Sequence, residues 1–180
     1  MKPLMSLLAL TLLVSTRVEA KPYTGIVPAS SSVTFRYSQM GVSMDGSFKK
    51  FSADLQLDPS KPESARARIV IDLSSIDTGS SEADEEVVGK SWFNVAGYPT
   101  ATFVLETLKQ TAPGQLEAAG KLTLKGRTRD IKAPLKLSPR GVLTGNFVIR
   151  RADYGIGDGM WSKFDVVAND VTVNLSLSLK

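Results

Sequence analysis

Val171-Thr172-Val173-Asn174-Leu175-Ser176-Leu177-Ser178-Leu179 puts an apolar side chain at every odd position and a polar one at every even position. Side chains on a strand point alternately to its two faces, so this run predicts a strand with one buried and one wet face. The same alternation recurs upstream. It is carried by Val33, Phe35 and Tyr37, by Phe51, Ala53, Leu55 and Leu57, and by Ala67, Ile69, Ile71 and Leu73. It continues through Phe103 and Leu105, through Leu116, Ala118, Leu122 and Leu124, through Ile131, Ala133, Leu135 and Leu137, and through Leu143, Phe147 and Ile149. About eight strands are predicted.

Turn-forming residues separate these runs: Asp58-Pro59-Ser60-Lys61-Pro62, Ala112-Pro113-Gly114, Lys125-Gly126, Ser138-Pro139-Arg140-Gly141 and Gly155-Ile156-Gly157-Asp158-Gly159. Several are of hairpin length, so neighbouring strands should run antiparallel. One segment differs. Ser81-Glu82-Ala83-Asp84 resembles a capping box, acidic side chains fill the first turns, and Gly89 can close the end, which predicts a short helix over 82–88. A single short helix cannot cover an open sheet. Eight one-sided strands must therefore bury a common apolar face in a sandwich or a closed barrel. An eight-stranded barrel is just wide enough to be filled by side chains or to hold one elongated ligand. The small inward residues Ala53, Ala67, Ala118, Gly120, Ala133 and Gly145 fit either a tunnel or a tightly packed core. If they line a tunnel, Ala133→Phe should block it.

Residues 1–20 read as a leader rather than as part of the fold. Lys2 precedes an apolar stretch from Leu4 to Val14, too short to span a bilayer, and Val18-Glu19-Ala20 suits cleavage after Ala20. The expected product is one domain, residues 21–180, soluble in the periplasm. The chain of 180 residues contains neither Cys nor His. Thiolate nucleophiles, disulfides, Ser-His dyads and thiolate or imidazole metal sites are thereby excluded.

The remaining charged motifs have structural explanations. Asp84-Glu85-Glu86 could be read as catalytic carboxylates, but adjacent helical residues diverge, and acid at a helix start is explained by the dipole. Gly155-x-Gly-x-Gly lacks the following amphipathic helix that a phosphate cradle requires. Lys125, Arg127, Arg129 and Lys132 form a basic hairpin without interleaved aromatics, which argues against nucleic acid. Such a row discourages edge pairing. With a pI near 9.3, it could also be drawn transiently to an anionic membrane surface.

Several blocks, in order, resemble the YceI-like family of exported, lipocalin-like barrels that bind polyisoprenoid lipids. They begin with Val33-Thr34-Phe35-Arg36-Tyr37, Gly41-Val42-Ser43 and Gly46-Ser47-Phe48 with Phe51. Ser75-Ile76-Asp77-Thr78-Gly79, Ser91-Trp92-Phe93-Asn94 and Tyr98-Pro99-Thr100-Ala101-Thr102-Phe103 follow. Gly120-Lys121-Leu122-Thr123-Leu124-Lys125-Gly126, Arg151-Ala152-Asp153-Tyr154-Gly155-Ile156 and Val171-Thr172-Val173-Asn174-Leu175 complete the set. The resemblance implies an all-β, eight-stranded antiparallel barrel that holds an isoprenoid tail and has no catalytic residues. The chain departs from the family pattern at Gln39, Ala83, Glu86 and Ser91, where the family often carries His, Arg, His and Asp, while Asp84 agrees with it. The tail-binding role therefore carries over better than any head-group contact.

On this reading the protein is a non-enzymatic carrier of a long apolar lipid, an isoprenoid lipid or isoprenoid quinone, with no catalytic cofactor and no metal. Phe35, Tyr37, Phe51, Leu55, Ile69, Ile71, Phe103, Leu105, Leu122, Phe147 and Ile149 are the expected tail contacts. Trp92, Phe93, Tyr98, Tyr154, Trp161 and Phe164 fall in loops and are expected at the tunnel mouth, although rings there could equally plug the barrel ends. Monomer and homodimer are both compatible with the sequence. The alternative is a scaffold or stress-response module whose rim loops bind a protein partner.

Overall fold

The computed structural model describes residues 21–180; the expected leader and its cleavage after Ala20 lie outside the described residues. One antiparallel sheet of ten strands curls around the interior, a correction to the eight expected. The strands are β1 (Ser32–Gln39), β2 (Val42–Phe48), β3 (Phe51–Gln56), β4 (Arg66–Asp72), β5 (Ile76–Asp77), β6 (Thr100–Ala112), β7 (Gln115–Leu124), β8 (Arg127–Leu137), β9 (Val142–Arg150) and β10 (Asp170–Ser178). Their order in the sheet is β3-β4-β6-β7-β8-β9-β10-β1-β2-β5.

The two additional strands have simple causes. In β2 the alternation Val42, Met44, Gly46, Phe48 is broken by a glycine, which has no side chain to register. The gap at Gly46 is filled by Phe35 from the paired strand: a Cβ built there would lie 2.3 Å from its ring. Strand β5 has only two residues and pairs with the end of β2 through Ser47↔Asp77 and Phe48↔Ile76. The sheet is also stitched across its ends. Strand β2 runs into β3 through Lys49-Lys50, and β4 reaches β5 through the 3-10 turn Leu73–Ser75. These two breaks face each other. The Lys49 N–H donates to Ser75 O, and the Asp72 N–H donates to Lys50 O, both at 3.0 Å.

A second irregularity lies between β8 and β9, which pair only over Leu135↔Gly145, Lys136↔Thr144 and Leu137↔Leu143. Pairing ends where Pro134, which has no N–H, enters β8. The β7–β8 hairpin is as expected. It turns through Lys125 and Gly126 at φ 47° and 71°, the double left-handed geometry of a two-residue loop.

Helix α1 (Ser81–Val87) lies between β5 and β6, close to where the sequence placed it. Its cap differs. Ser80, not Ser81, accepts from the Ala83 N–H, and Asp84 turns back to take both the N–H and the hydroxyl of Thr78 at 2.7 Å.

The interior divides into two clusters. The first joins Ile26, Leu55, Leu57, Ile69, Leu108, Leu116, Ala118, Ala133, Leu135, Leu143, Leu177 and Leu179. It fills the end of the barrel where the terminal segments close over the core through the bridges Tyr23↔Leu57 and Ile26↔Leu179. The small inward residues belong to this packed end or face bulky partners. Ala118 and Ala133 are members of the cluster, Ala53 and Ala67 pack against it, and the space over Gly120 and Gly145 is taken by Phe103 and Leu135. They are the small halves of a close-packed core, which decides between the two readings the sequence left open. The second cluster includes Leu73, Trp92, Ala101, Leu122, Leu124, Ile149, Tyr154, Ile156 and Val167. It lies at the other end, and most of its members line a cavity there.

Candidate functional site: an apolar cavity at one end of the barrel

A cavity of about 800 Å³ occupies the half of the barrel next to α1. Its wall is built from the inward positions of several strands. Strand β1 supplies Val33, Phe35, Tyr37 and Gln39, and β9 supplies Phe147 and Ile149. Strand β10 supplies Val171 and Val173, β7 supplies Leu122 and Leu124, and β2 supplies Met44 and Phe48. Ile71, Ile76 and Ala101 complete the strand wall, and Leu73 joins them from the 3-10 turn. Loops add Trp92, Phe93, Ile156, Trp161 and Val167, and α1 contributes Glu82, Ala83, Glu85, Glu86 and Val87. The exposed members of this lining, Gln39, Ser80, Glu82, Glu85 and Glu86, mark the mouth.

Two features set its chemistry. Aromatic rings line it in two groups: Phe35 lies 6.0 Å from Tyr37 and 5.3 Å from Phe48, and Trp92 lies 5.4 Å from Trp161. The Trp161 indole N–H donates to Glu86 Oε1 at 3.0 Å, fastening the loop to α1.

The second feature is Arg151, which lines the cavity while only 2% exposed. Its guanidinium donates to the carbonyls of Ala168, Ile156, Gly157, Trp161, Lys163 and Val167. It faces the rings of Trp92 and Phe164 at 5.5 and 5.1 Å. All five N–H groups are engaged, so Arg151 is a hub that shapes the loop, not a free anion receptor. Burial lowers its pKa from the usual arginine value.

Among the described residues two buried polar groups have no partner, the Trp92 indole N–H and the Tyr154 hydroxyl. Burial pushes the Tyr154 phenol up to about 12, with Arg129 pulling it the other way. Tyr37 is raised by burial and by the Asp84 carboxylate. Among the described residues no three His, Cys, Asp or Glu side chains gather as metal ligands would.

The structure separates the residues singled out from sequence. Phe35, Tyr37, Ile71, Trp92, Phe93, Leu122, Phe147, Ile149 and Trp161 line the cavity together. Leu55 and Ile69 are buried in the packed cluster, with Phe51 and Leu105 against it, so these four are core rather than wall. Phe103 fills the space over Gly120 and touches both clusters. Tyr154 is 1% exposed and belongs to the second cluster without reaching the cavity surface. Tyr98 covers Gly126 on the outside of the β7–β8 turn, and Phe164 stacks over Arg151 while 48% exposed.

Lys125 also departs from expectation. Rather than joining a solvated basic row, it turns inward to donate to Gly155 O at 2.6 Å and Lys90 O at 3.0 Å.

Sequence reasoning missed the α1 contributions, Arg151 and the small wall residues Val33, Ala101 and Val173. A signal for Arg151 was present. The inward phase of Phe147 and Ile149 continues into it, placing a charge where the pattern demands burial. The helix lining had none, because nothing in 81–87 says what the helix covers.

A family model described as YceI-like domain matches residues 25–179. The chain belongs to the YceI-like family. Among curated relatives of this YceI-like chain are UPF0312 proteins of Yersinia pestis (strain Pestoides F) and Ectopseudomonas mendocina (strain ymp). They are 34% and 31% identical over 110 residues, 61% of this chain and 57% and 58% of theirs. The chain thus spans a little over half the length of these relatives. Among solved structures, Burkholderia cenocepacia BcnA is 33% identical, with a TM-score of 0.82 over 84% of this chain and 98% of that one. A polyisoprenoid binding domain from Saccharophagus degradans shares the fold, with a TM-score of 0.66 at 19% identity over 86% of this chain and 97% of that one. Three of the four departures from the family pattern noted above, Gln39, Ala83 and Glu86, lie in the cavity lining.

Proposed function

We propose that this protein is a periplasmic, non-enzymatic carrier that takes the tail of a long isoprenoid lipid or isoprenoid quinone into its cavity. The observation that carries the reading is the cavity itself: about 800 Å³ walled by aliphatic and aromatic side chains, beside a barrel half that is fully packed. An apolar space of this size matches the range of small-molecule sites. Membership of the YceI-like family and the fold shared with the polyisoprenoid binding domain from Saccharophagus degradans support the choice of cargo. Burial of a prenyl chain supplies about 0.8 kcal/mol per methylene, so affinity needs no charged contact. Export to the periplasm rests on the apolar stretch from Leu4 to Val14 and the small residue at Ala20.

Both tryptophans of the chain, Trp92 and Trp161, line the cavity. Titration with an isoprenoid quinone should therefore quench the intrinsic tryptophan fluorescence saturably, with a stoichiometry of one. Quenching that stays linear with quinone concentration, as for collisions in solution, would count against the proposal.

A further inference from the structure

The cavity mouth is flanked by apolar side chains that none of the described residues covers. Met40 and Val42, at the β1–β2 turn, are 75% and 61% exposed, and Met160, Phe164 and Val166, on the loop before β10, are 85%, 48% and 38% exposed. The two segments adjoin. The Met40 N–H donates to Val166 O at 2.7 Å, and Gln39 bridges to Val167.

Neither projection is accidental. Val42 keeps the inward phase of β2 but stands beyond the barrel rim, and Met40 occupies a left-handed turn position at φ 50°. The neighbouring loop is held in place by Arg151, whose guanidinium binds the carbonyls of Trp161, Lys163 and Val167. A buried cation thus presents apolar side chains to water. Isolated exposed apolar residues need no explanation, whereas a group of them on adjoining loops marks an interaction surface.

We infer that these two loops form a membrane-docking rim, by which the protein rests on the neutral interface of a lipid bilayer with the loop side of its cavity mouth at the acyl boundary and the glutamates of α1 on the water side. This rests on the lipid-carrier reading, because a cargo that insoluble must pass between the cavity and a bilayer. Three observations select a bilayer. The apolar tips are continuous with the cavity, since Gln39, Trp161 and Val167 both flank them and line it. The stretch Gln39-Met40-Gly41-Val42-Ser43-Met44 carries no charge. The facing tip carries one cation, Lys163, whose stem is long enough to bring its ammonium back to the headgroups, and one carboxylate, Asp165, which accepts from the Val166 N–H at 3.0 Å. Apolar insertion of this kind is insensitive to salt, unlike attraction of the basic β7–β8 hairpin to anionic lipid.

The test is flotation of the mature protein with phosphatidylcholine vesicles at low and high salt, beside the double variant Met40→Asp, Met160→Asp. Neither residue lines the cavity. The wild type should float at both salt concentrations, and the variant should lose about tenfold or more in partitioning. Quinone quenching in dilute detergent should be unchanged. Three results would overturn the inference: wild type that stays with the lipid-free fraction, flotation that requires anionic lipid and disappears in salt, or a variant that abolishes a wild-type dimer without affecting flotation. Loss of quinone quenching in the wild type with flotation intact would instead remove the cargo reading and leave the docking surface standing.

Discussion

At the scale of single residues, the interior polar atoms give the clearest expectations. Tyr154 buries a hydroxyl that has no protein partner, and such a group costs about 1–3 kcal/mol of desolvation. Tyr154→Phe should therefore raise stability by about 1 kcal/mol in denaturant titration at neutral pH. The phenol also sets an alkaline limit. Its pKa, about 12 when folded against an ordinary 10.0, means that both states are neutral below the lower value. Between the two values the unfolded chain has lost its proton and the folded chain has not, so stability falls as pH rises through that window. Unfolding midpoints should drop there in the wild type and less in Tyr154→Phe.

Two alanines distinguish wall from core. Ala101 lines the cavity, whereas Ala133 is sealed in the packed cluster. Ala101→Phe should abolish quinone quenching in a folded protein by filling the cavity. Ala133→Phe should leave quenching intact and cost about 1–3 kcal/mol through overpacking. The reverse pattern in the two titrations would place the ligand in the other half of the barrel.

At the scale of elements, the loop from Ile156 to Val167 depends on one side chain. Arg151 serves six carbonyls with a planar fork that lysine cannot reproduce. Arg151→Lys should cost about 3 kcal/mol, since several charge-assisted hydrogen bonds are lost from a buried setting. It should also accelerate amide hydrogen exchange selectively across 156–167. Uniform acceleration over the whole sheet would show a global rather than a local role.

The strands were legible in the sequence because burial on one face forces a period of two, and each long run, from Val33-Phe35-Tyr37 to Val171–Leu179, appears as a strand. What escaped has physical causes. Strand β2 hides behind Gly46, whose missing side chain is replaced by a ring from another strand. Strand β5 is too short to carry a period. The wall of the cavity was legible only in part, since alternation says which residues face inward but not how far along the axis the interior stays filled. Phe35 and Leu55 have the same inward phase, yet one borders space and the other borders Leu57 and Ile69 in the packed cluster. That difference depends on side chains distant in sequence meeting at one level of the barrel.

At the scale of the whole molecule, the barrel is polarised. One end is a close-packed core sealed by the segments at Tyr23–Ile26 and Leu179, and the other holds an apolar cavity whose mouth combines an acidic helix with two apolar loops that none of the described residues covers. The packed end provides the stability that lets the other end remain hollow, because an empty apolar cavity forfeits packing energy in proportion to its volume. Bound lipid should restore part of that loss, so saturating isoprenoid quinone should raise the unfolding temperature.

The most direct measurement is native mass spectrometry of the purified protein after incubation with an isoprenoid quinone, compared with the Ala101→Phe variant. The cavity reading predicts a one-to-one adduct in the wild type that denaturation releases and the variant does not form. A wild-type spectrum showing only bare chain at saturating quinone, or an equal adduct on both proteins, would contradict it.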